Sequence, residues 1–191
     1  MASPITHAVV ALSLAAAWNR SRFDWKFLAV GVVCAEIPDA DVLGFWFGVP
    51  YGNLWGHRGM THSLLFAAAF AGVMVRLTDD SEEAGRQRFA RWSYFFLATA
   101  SHGLCDAVTD GGLGVALLSP FDTTRYFFPF RPVMVSPLHW DMFFSPVGLR
   151  VLISEAIWIW LPCLVFVVVA VGLQRRLSPV RMGSNRHDND R

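Results

Sequence analysis

Histidine and aspartate residues stand in parts of this chain that are otherwise apolar, and both residue types bind metals and transfer protons. Ionisable groups in apolar segments cost roughly 2.5 to 3.5 kcal/mol each on membrane-insertion scales, so their usual explanation is functional. Neutral imidazole and carboxylate together suit Zn²⁺ best, with Mn²⁺ or Fe²⁺ as alternatives. The set predicts a catalytic site for one or two divalent cations. Its members are His7, Asp39, His57, His62, His102 and Asp106.

The spacing of these residues is compatible with a shared site. His102 and Asp106 are four residues apart, so on a helix both project from one face, about one turn apart. Pro38 is expected to end the helix that precedes it in the chain. We therefore expect Asp39 to lie in an irregular segment that can turn its carboxylate inward. His62 is expected in the first turn of the next helix, with its imidazole facing the site from the helix end.

Five further polar residues receive weaker predictions. Arg58 either anchors a loop to lipid headgroups or binds a substrate phosphate. Asp41 and Asp110 are predicted to be cap or turn residues rather than ligands. Glu155 stands alone in a long apolar segment and must be paired or protonated, which favours a supporting or proton-relay role. His139 is expected in an exposed loop.

Composition and segment length indicate a membrane protein. The 191 residues are 54% hydrophobic and 16% charged, against about 25% charged residues in ordinary soluble proteins. Residues 151–173 are 23 consecutive positions with Glu155 as the only charge, and about 20 apolar residues span a bilayer. A formal net charge of +1 excludes polyanion binding as the main activity, so we expect lipid and not nucleic acid as a partner.

Four other apolar stretches, at residues 4–18, 27–47, 61–75 and 92–109, suggest an all-α integral membrane protein of about five apolar helices. Of the 16 basic residues, 12 follow the first, third and fifth stretches. The positive-inside rule makes that side cytoplasmic and predicts five passes, with the N-terminus outside and the C-terminus inside. The predicted ligands then lie towards the non-cytoplasmic side of one domain, residues 1–177, and residues 178–191 form a disordered cytoplasmic tail.

Three motifs resemble those of a known family. At Ile37-Pro-Asp-Ala-Asp41, Gly56-His-Arg-Gly-Met-Thr-His-Ser-Leu-Leu65 and Ser101-His-x-x-x-Asp106 the chain resembles the YdjM-type family of bacterial inner-membrane, metal-dependent hydrolases. The resemblance implies an inner-membrane location and hydrolase roles for the six residues proposed as ligands. Their order, His, Asp, His, then His-x-x-x-Asp, is also similar to the ligand order of all-helical zinc phospholipase C and single-strand nucleases, which implies phosphoester hydrolysis.

Two functions fit these residues. The first is a membrane hydrolase for a phosphoester of a lipid or lipid-linked substrate, with Asp39, His57 and Arg58 as catalytic residues and Arg58 neutralising the phosphoryl charge. The second is a non-enzymatic membrane protein that binds or transports a divalent metal. A transport path needs polar groups that continue towards the cytoplasm, and residues 64–75 contain none. The pattern therefore favours the hydrolase.

Overall fold

The structure is a computed structural model that describes residues 1–18, 24–78, 85–137 and 140–177. These residues form a helical protein without β-strands, apart from two isolated bridges that join Thr109 to Val133 and Val115 to Tyr126. The prediction of a helical fold is confirmed.

Seven α-helices are present in the described residues. They are α1 (Pro4–Trp18), α2 (Trp25–Glu36), α3 (Leu64–Thr78), α4 (Gly85–Ala107), α5 (Trp140–Phe143), α6 (Pro146–Glu155) and α7 (Leu161–Leu177). A 3-10 helix, Ile37–Phe47, continues directly from α2, and a 3-10 turn, Met60–His62, precedes α3. A π-helical turn, Ala156–Trp160, joins α6 to α7 without a break.

The helix Pro146–Leu177 is long and apolar enough to cross a membrane. It has 32 residues, and its most apolar window has a mean hydropathy of 2.6 with 6% of the window buried in the protein. Lipid is the environment that can cover so much exposed apolar surface. The other four apolar stretches are helical, but α1 and α3 have 15 residues each and α2 has 12. Within the described residues one helix is clearly membrane-spanning, and the five passes stay a prediction.

Local sequence explains where these elements begin and end. Pro38 lacks an N–H and stands at the start of the 3-10 helix, so the α-helical ladder of α2 ends just before it. Gly48 ends the 3-10 helix at φ +74°, a left-handed conformation that glycine adopts without strain. Ser145 caps α6 by accepting a hydrogen bond from Val147 N at 3.1 Å. Pro38 and Gly48 thus mark the two ends of the 3-10 helix that carries Asp39 and Asp41.

Small side chains allow α1 to α4 to pack closely. Helix α4 contacts α1, α2 and α3, and α1 also contacts α7. Close approach of backbones is the usual basis of helix association in a membrane, where burial of apolar surface adds no driving force. Helix α4 is therefore central to the bundle, and it carries His102 and Asp106 into the interior. The small buried residues of this core are Ala11, Ala15, Cys34, Ala35, Ala71 and Ala98.

Candidate metal centre

Four of the six predicted ligands converge on one point. Asp39 comes from the 3-10 helix, His62 from the turn before α3, and His102 and Asp106 from α4. Each offers one ligand atom, and these atoms all lie within 4.8 Å of one another. Nε2 of His102 lies 3.2 Å from Oδ1 of Asp39, and Nε2 of His62 lies 3.7 Å from Oδ2 of Asp106. We call these four residues the metal cluster, since two imidazoles and two carboxylates are a donor set that could hold a divalent ion.

The ligand atoms of the metal cluster are buried, and several of them have no hydrogen-bond partner. This is true of both carboxylate oxygens of Asp39 and of Nε2 in His62 and in His102. A buried polar group without a partner costs about 1–3 kcal/mol, so such groups are rare in folded proteins. A cation bound among them would satisfy all of these atoms together. The residues therefore fit a metal.

Hydrogen bonds on the far side of each imidazole turn Nε2 towards the cluster. Nδ1 of His102 donates to the carbonyl oxygen of Ala35 at 2.6 Å. Nδ1 of His62 is 3.1 Å from Oγ1 of Thr61, its hydrogen-bond partner, and 3.2 Å from Oδ2 of Asp41. When Nδ1 carries the proton, the lone pair of a neutral imidazole is on Nε2, which is the form that binds metal.

Asp41 has a role that the sequence interpretation did not foresee. Its buried carboxylate accepts hydrogen bonds from Nδ1 of His57 at 2.7 Å, from Oγ1 of Thr61 at 2.6 Å and from the backbone N–H of Arg58 at 3.2 Å. A 3-10 helix turns about 120° per residue, so Asp39 and Asp41 face different sides. Asp39 meets the metal cluster, and Asp41 holds the histidines beside it. The sequence signal for this supporting role was the Asp-x-Asp spacing, because it places the carboxylates of Asp39 and Asp41 close together in one short helix.

His57 and His7 border the metal cluster. Nδ1 of His57 is 3.8 Å from Oδ1 of Asp39. The ring of His7 stacks on that of His102 with centroids 3.6 Å apart, and its Nε2 is 3.8 Å from Oδ1 of Asp106. Both ring nitrogens of His7 are buried without a hydrogen-bond partner. The structure thus brings both histidines to the site, and a ligand role for either stays a prediction.

Arg58 is completely buried beside the cluster. Its Nε donates to Oδ2 of Asp106 at 2.9 Å, Nη1 donates to the carbonyl of Gly111 at 2.8 Å, and Nη2 donates to Oγ1 of Thr109 at 3.0 Å. Its φ of +62° places a non-glycine residue in the left-handed region. Such strain is found mainly at functional sites, where the surroundings enforce it. Because the side chain has no exposed surface, Arg58 does not contact lipid headgroups here.

Arg125 fixes the loop that carries His57. It donates from Nη1 to the carbonyl of His57 at 2.9 Å, and from Nη2 to the carbonyls of Tyr51 at 3.1 Å and Asn53 at 3.2 Å. Burial lowers the pKa of Arg125 and raises the pKa of the Tyr51 phenol, so Tyr51 stays neutral at physiological pH. Sequence reasoning missed Arg125, because its partners are backbone carbonyls about 70 positions away in the chain. A pattern of side-chain types does not reveal such contacts.

Comparison with known proteins identifies the family of this chain. The family described as "YdjM inner membrane protein" matches the chain over residues 1–177. The chain belongs to the YdjM family. A curated relative, "Inner membrane protein YbcI" of Escherichia coli (strain K12), is 40% identical over 162 residues, which cover 85% of this chain and 92% of YbcI. No solved structure matches the chain. The resemblance seen in the motifs is confirmed, and the inner membrane is the location; neither name states an activity.

Three other predicted residues of this YdjM-family protein lie away from the cluster or outside the described residues. Oδ1 of Asp110 accepts a hydrogen bond from Val135 N at 2.8 Å, in the turn that follows α4. Glu155 is completely buried and hydrogen-bonded to the segment that begins α1. His139 lies outside the described residues, as does the tail from 178 to 191.

Proposed function

We propose that this YdjM-family protein is a membrane-embedded, metal-dependent hydrolase that acts on a phosphoester of a lipid or lipid-linked substrate. The observation that carries the proposal is the set of buried, unpartnered ligand atoms on Asp39, His62 and His102, which face one another next to Asp106. Mixed carboxylate and imidazole ligands without thiolates are typical of catalytic zinc sites, whereas structural sites are rich in cysteine.

Buried charges support a bound cation. Among the described side chains in and beside the cluster, three carboxylates, those of Asp39, Asp41 and Asp106, are accompanied by one buried guanidinium, that of Arg58, which contacts Asp106. With the histidines neutral, this region carries an excess of negative charge, and uncompensated charge away from water is costly. A divalent cation in the cluster would remove most of the excess.

A cation held by these four residues would lower the pKa of a water ligand to about 7 and polarise a phosphoryl oxygen. His57 is the side chain that moves a proton in this proposal. The 2.7 Å contact from its Nδ1 to Asp41 fixes the ring orientation. Arg58, held by Asp106 and its two other partners, opposes the negative charge that develops on the phosphoryl group.

The substrate approaches from the side of Asp39. The Asp39 side chain is 12% exposed, whereas those of His62, His102 and Asp106 are 0% exposed. Asp39 is therefore the member of the metal cluster nearest to solvent, and because both of its oxygens are buried, a substrate would reach them through a local opening beside this residue.

The depth of the site favours a lipid substrate. Arg175 and Arg176 stand at the C-terminal end of the spanning helix, where basic side chains reach the membrane surface. Glu155 comes 20 residues before Arg175, about 30 Å along a helix, which equals the thickness of the hydrocarbon core. The backbone N–H of Ser3 donates a hydrogen bond to Glu155, and that of the neighbouring Ala2 donates to Asp106. The metal cluster would thus lie near the headgroups of the opposite leaflet, where lipid phosphoesters are located.

The test is phosphate release by the purified protein from a panel of lipid phosphates, with p-nitrophenyl phosphate as a water-soluble comparison. We expect turnover of the lipid phosphates, loss of turnover with chelator and recovery with added Zn²⁺ or Mn²⁺. Turnover that is insensitive to chelator would contradict the proposal. The same cluster is compatible with the alternative of a protein that only binds a metal, which turnover in this assay would exclude. Transport receives no similar support, because the buried residues of α3 beyond His62 are Ala67, Ala71 and Val75, which offer no ligand to an ion.

A further inference from the structure

Glu155 is a buried carboxylate that the proposed reaction does not use. Oε1 accepts a hydrogen bond from Ser3 N at 2.5 Å, while Oε2 accepts from Ser3 Oγ at 2.5 Å and from Thr6 Oγ1 at 2.8 Å. Trp160 Nε1 donates to Thr6 Oγ1 at 2.7 Å, so the hydroxyl proton of Thr6 points towards Glu155. In every one of these contacts Glu155 is the acceptor, so both of its oxygens are engaged by the segment that begins α1.

The π-helical turn Ala156–Trp160 explains how two residues of the spanning helix reach Thr6. In an α-helix, residues five apart lie about 140° apart around the axis, since each residue turns it by 100°. A π-helix bonds residue i to residue i+5 and so brings residues five apart to one side. Glu155 and Trp160 are five apart, and both contact Thr6. The irregular turn therefore aims two side chains at the start of α1.

The segment that Glu155 holds also contacts the metal cluster. Ala2 precedes Ser3, and its N–H donates to Oδ1 of Asp106 at 2.6 Å. Nε of Arg58 donates to Oδ2 of the same carboxylate at 2.9 Å. Each oxygen of Asp106 thus receives one donor from these two residues and keeps one lone pair for a cation. A rotation of this carboxylate would break one of the two hydrogen bonds.

We propose that Glu155 is a positioning residue for the metal centre, which acts through Ser3 and Ala2 to hold Asp106 in its metal-binding orientation. This inference rests on the proposed function. Hydrogen bonds to a metal-binding carboxylate orient its lone pairs, and loss of such outer partners typically weakens metal binding 10-fold to 100-fold. Here the outer partner is the backbone N–H of Ala2. Its position depends on the next residue, Ser3, which Glu155 holds through two hydrogen bonds.

The experiment measures Co²⁺ binding to the full chain in detergent, by its dissociation constant and its d–d absorption spectrum. Glu155→Gln keeps the size of the side chain but loses the charge and one acceptor. We expect the dissociation constant to rise at least tenfold and the spectrum to change, because Asp106 is no longer held. Glu155→Asp, which restores the charge, should recover part of the affinity.

Ser154→Ala is the matched control, because Ser154 is the polar neighbour of Glu155 on the same helix and accepts from Met134 N at 3.0 Å. It should leave the dissociation constant and the spectrum unchanged. Thr6→Val preserves shape, removes one donor to Glu155 and should raise the dissociation constant by less than Glu155→Gln; it decides the question if Glu155→Gln does not fold.

Two results overturn the inference and are distinguishable. If the unmodified protein binds Co²⁺, and the folded Glu155 and Thr6 variants bind it with the same constant and spectrum, then Glu155 has a structural role only and the proposed function stands. If the unmodified protein binds neither Co²⁺ nor Zn²⁺, the proposed function fails and the inference fails with it.

Discussion

Nδ1 of His62 lies 3.2 Å from Oδ2 of Asp41, and Nε2 of the same ring faces Asp39 and Asp106. Asp41 is itself held by the hydroxyl of Thr61 and by the ring of His57. One carboxylate therefore orients a histidine of the metal cluster and the histidine proposed to move protons. A carboxylate bound to the far nitrogen of a metal-binding histidine is a common supporting partner in zinc sites.

Asp41→Asn should weaken metal binding about 10-fold to 100-fold, because an amide can present its NH₂ group to Nδ1 of His62 and no longer fixes the tautomer. Competition against a chromophoric chelator measures this affinity in the purified protein. Asp110→Asn is the control and should leave metal content intact, since the side chain of Asp110 accepts a hydrogen bond from Val135 N, away from the metal cluster. Equal affinity of Asp41→Asn and the unmodified protein would rule out the orienting role.

His102→Ala and Asp106→Ala should each remove most of the bound metal and most of the hydrolytic activity. The double variant should be little worse than either single variant, because ligands of one ion act as a unit and their effects are not additive. Elemental analysis and turnover, measured on protein that still elutes as one folded species, provide the check. Full metal retention in both folded single variants would show that these two residues are packing groups.

Arg58→Met should lower the free energy of unfolding by about 3–5 kcal/mol, the usual cost of removing one partner from a buried ion pair. The change leaves Asp106 without its 2.9 Å partner and removes the donor to Oγ1 of Thr109. Thermal unfolding in detergent, without added metal, measures the effect. Arg150→Met alters an exposed arginine and should leave the unfolding temperature nearly unchanged. A similar unfolding temperature for both variants would contradict the prediction.

The predicted topology places the two ends of α4 on opposite sides of the membrane. A cysteine at the exposed position 86 should react with an impermeant maleimide from the cytoplasmic side, and a cysteine at the exposed position 123 should react from the other side. Labelling of intact and of inverted membrane vesicles distinguishes the two. Reaction from the same side at both positions would break the five-pass arrangement and the argument that the ligands lie near the outer surface.

The sequence alone predicted the helical fold, the spanning helix and the residues that meet at the metal cluster. Helices follow from apolar stretches of sufficient length, and residues 151–173 are apolar enough to need lipid. Ionisable residues in such stretches are costly, so Asp39, His62, His102 and Asp106 were conspicuous before their positions were known. The spacing of four between His102 and Asp106 was enough to place them on one face of α4.

Only the tertiary structure decided which side chains support that cluster. Ala2 reaches Asp106 across 104 positions of sequence, and Ser3 reaches Glu155 across 152. Arg125 and Asp41 likewise depend on where distant loops and turns come together. Hydrophobic periodicity reports how one element faces its surroundings, but it carries no information about which distant backbone N–H or carbonyl will meet a buried charge. Those partners follow from the packing of small residues between α1, α2 and α4, which sets how closely the helices approach.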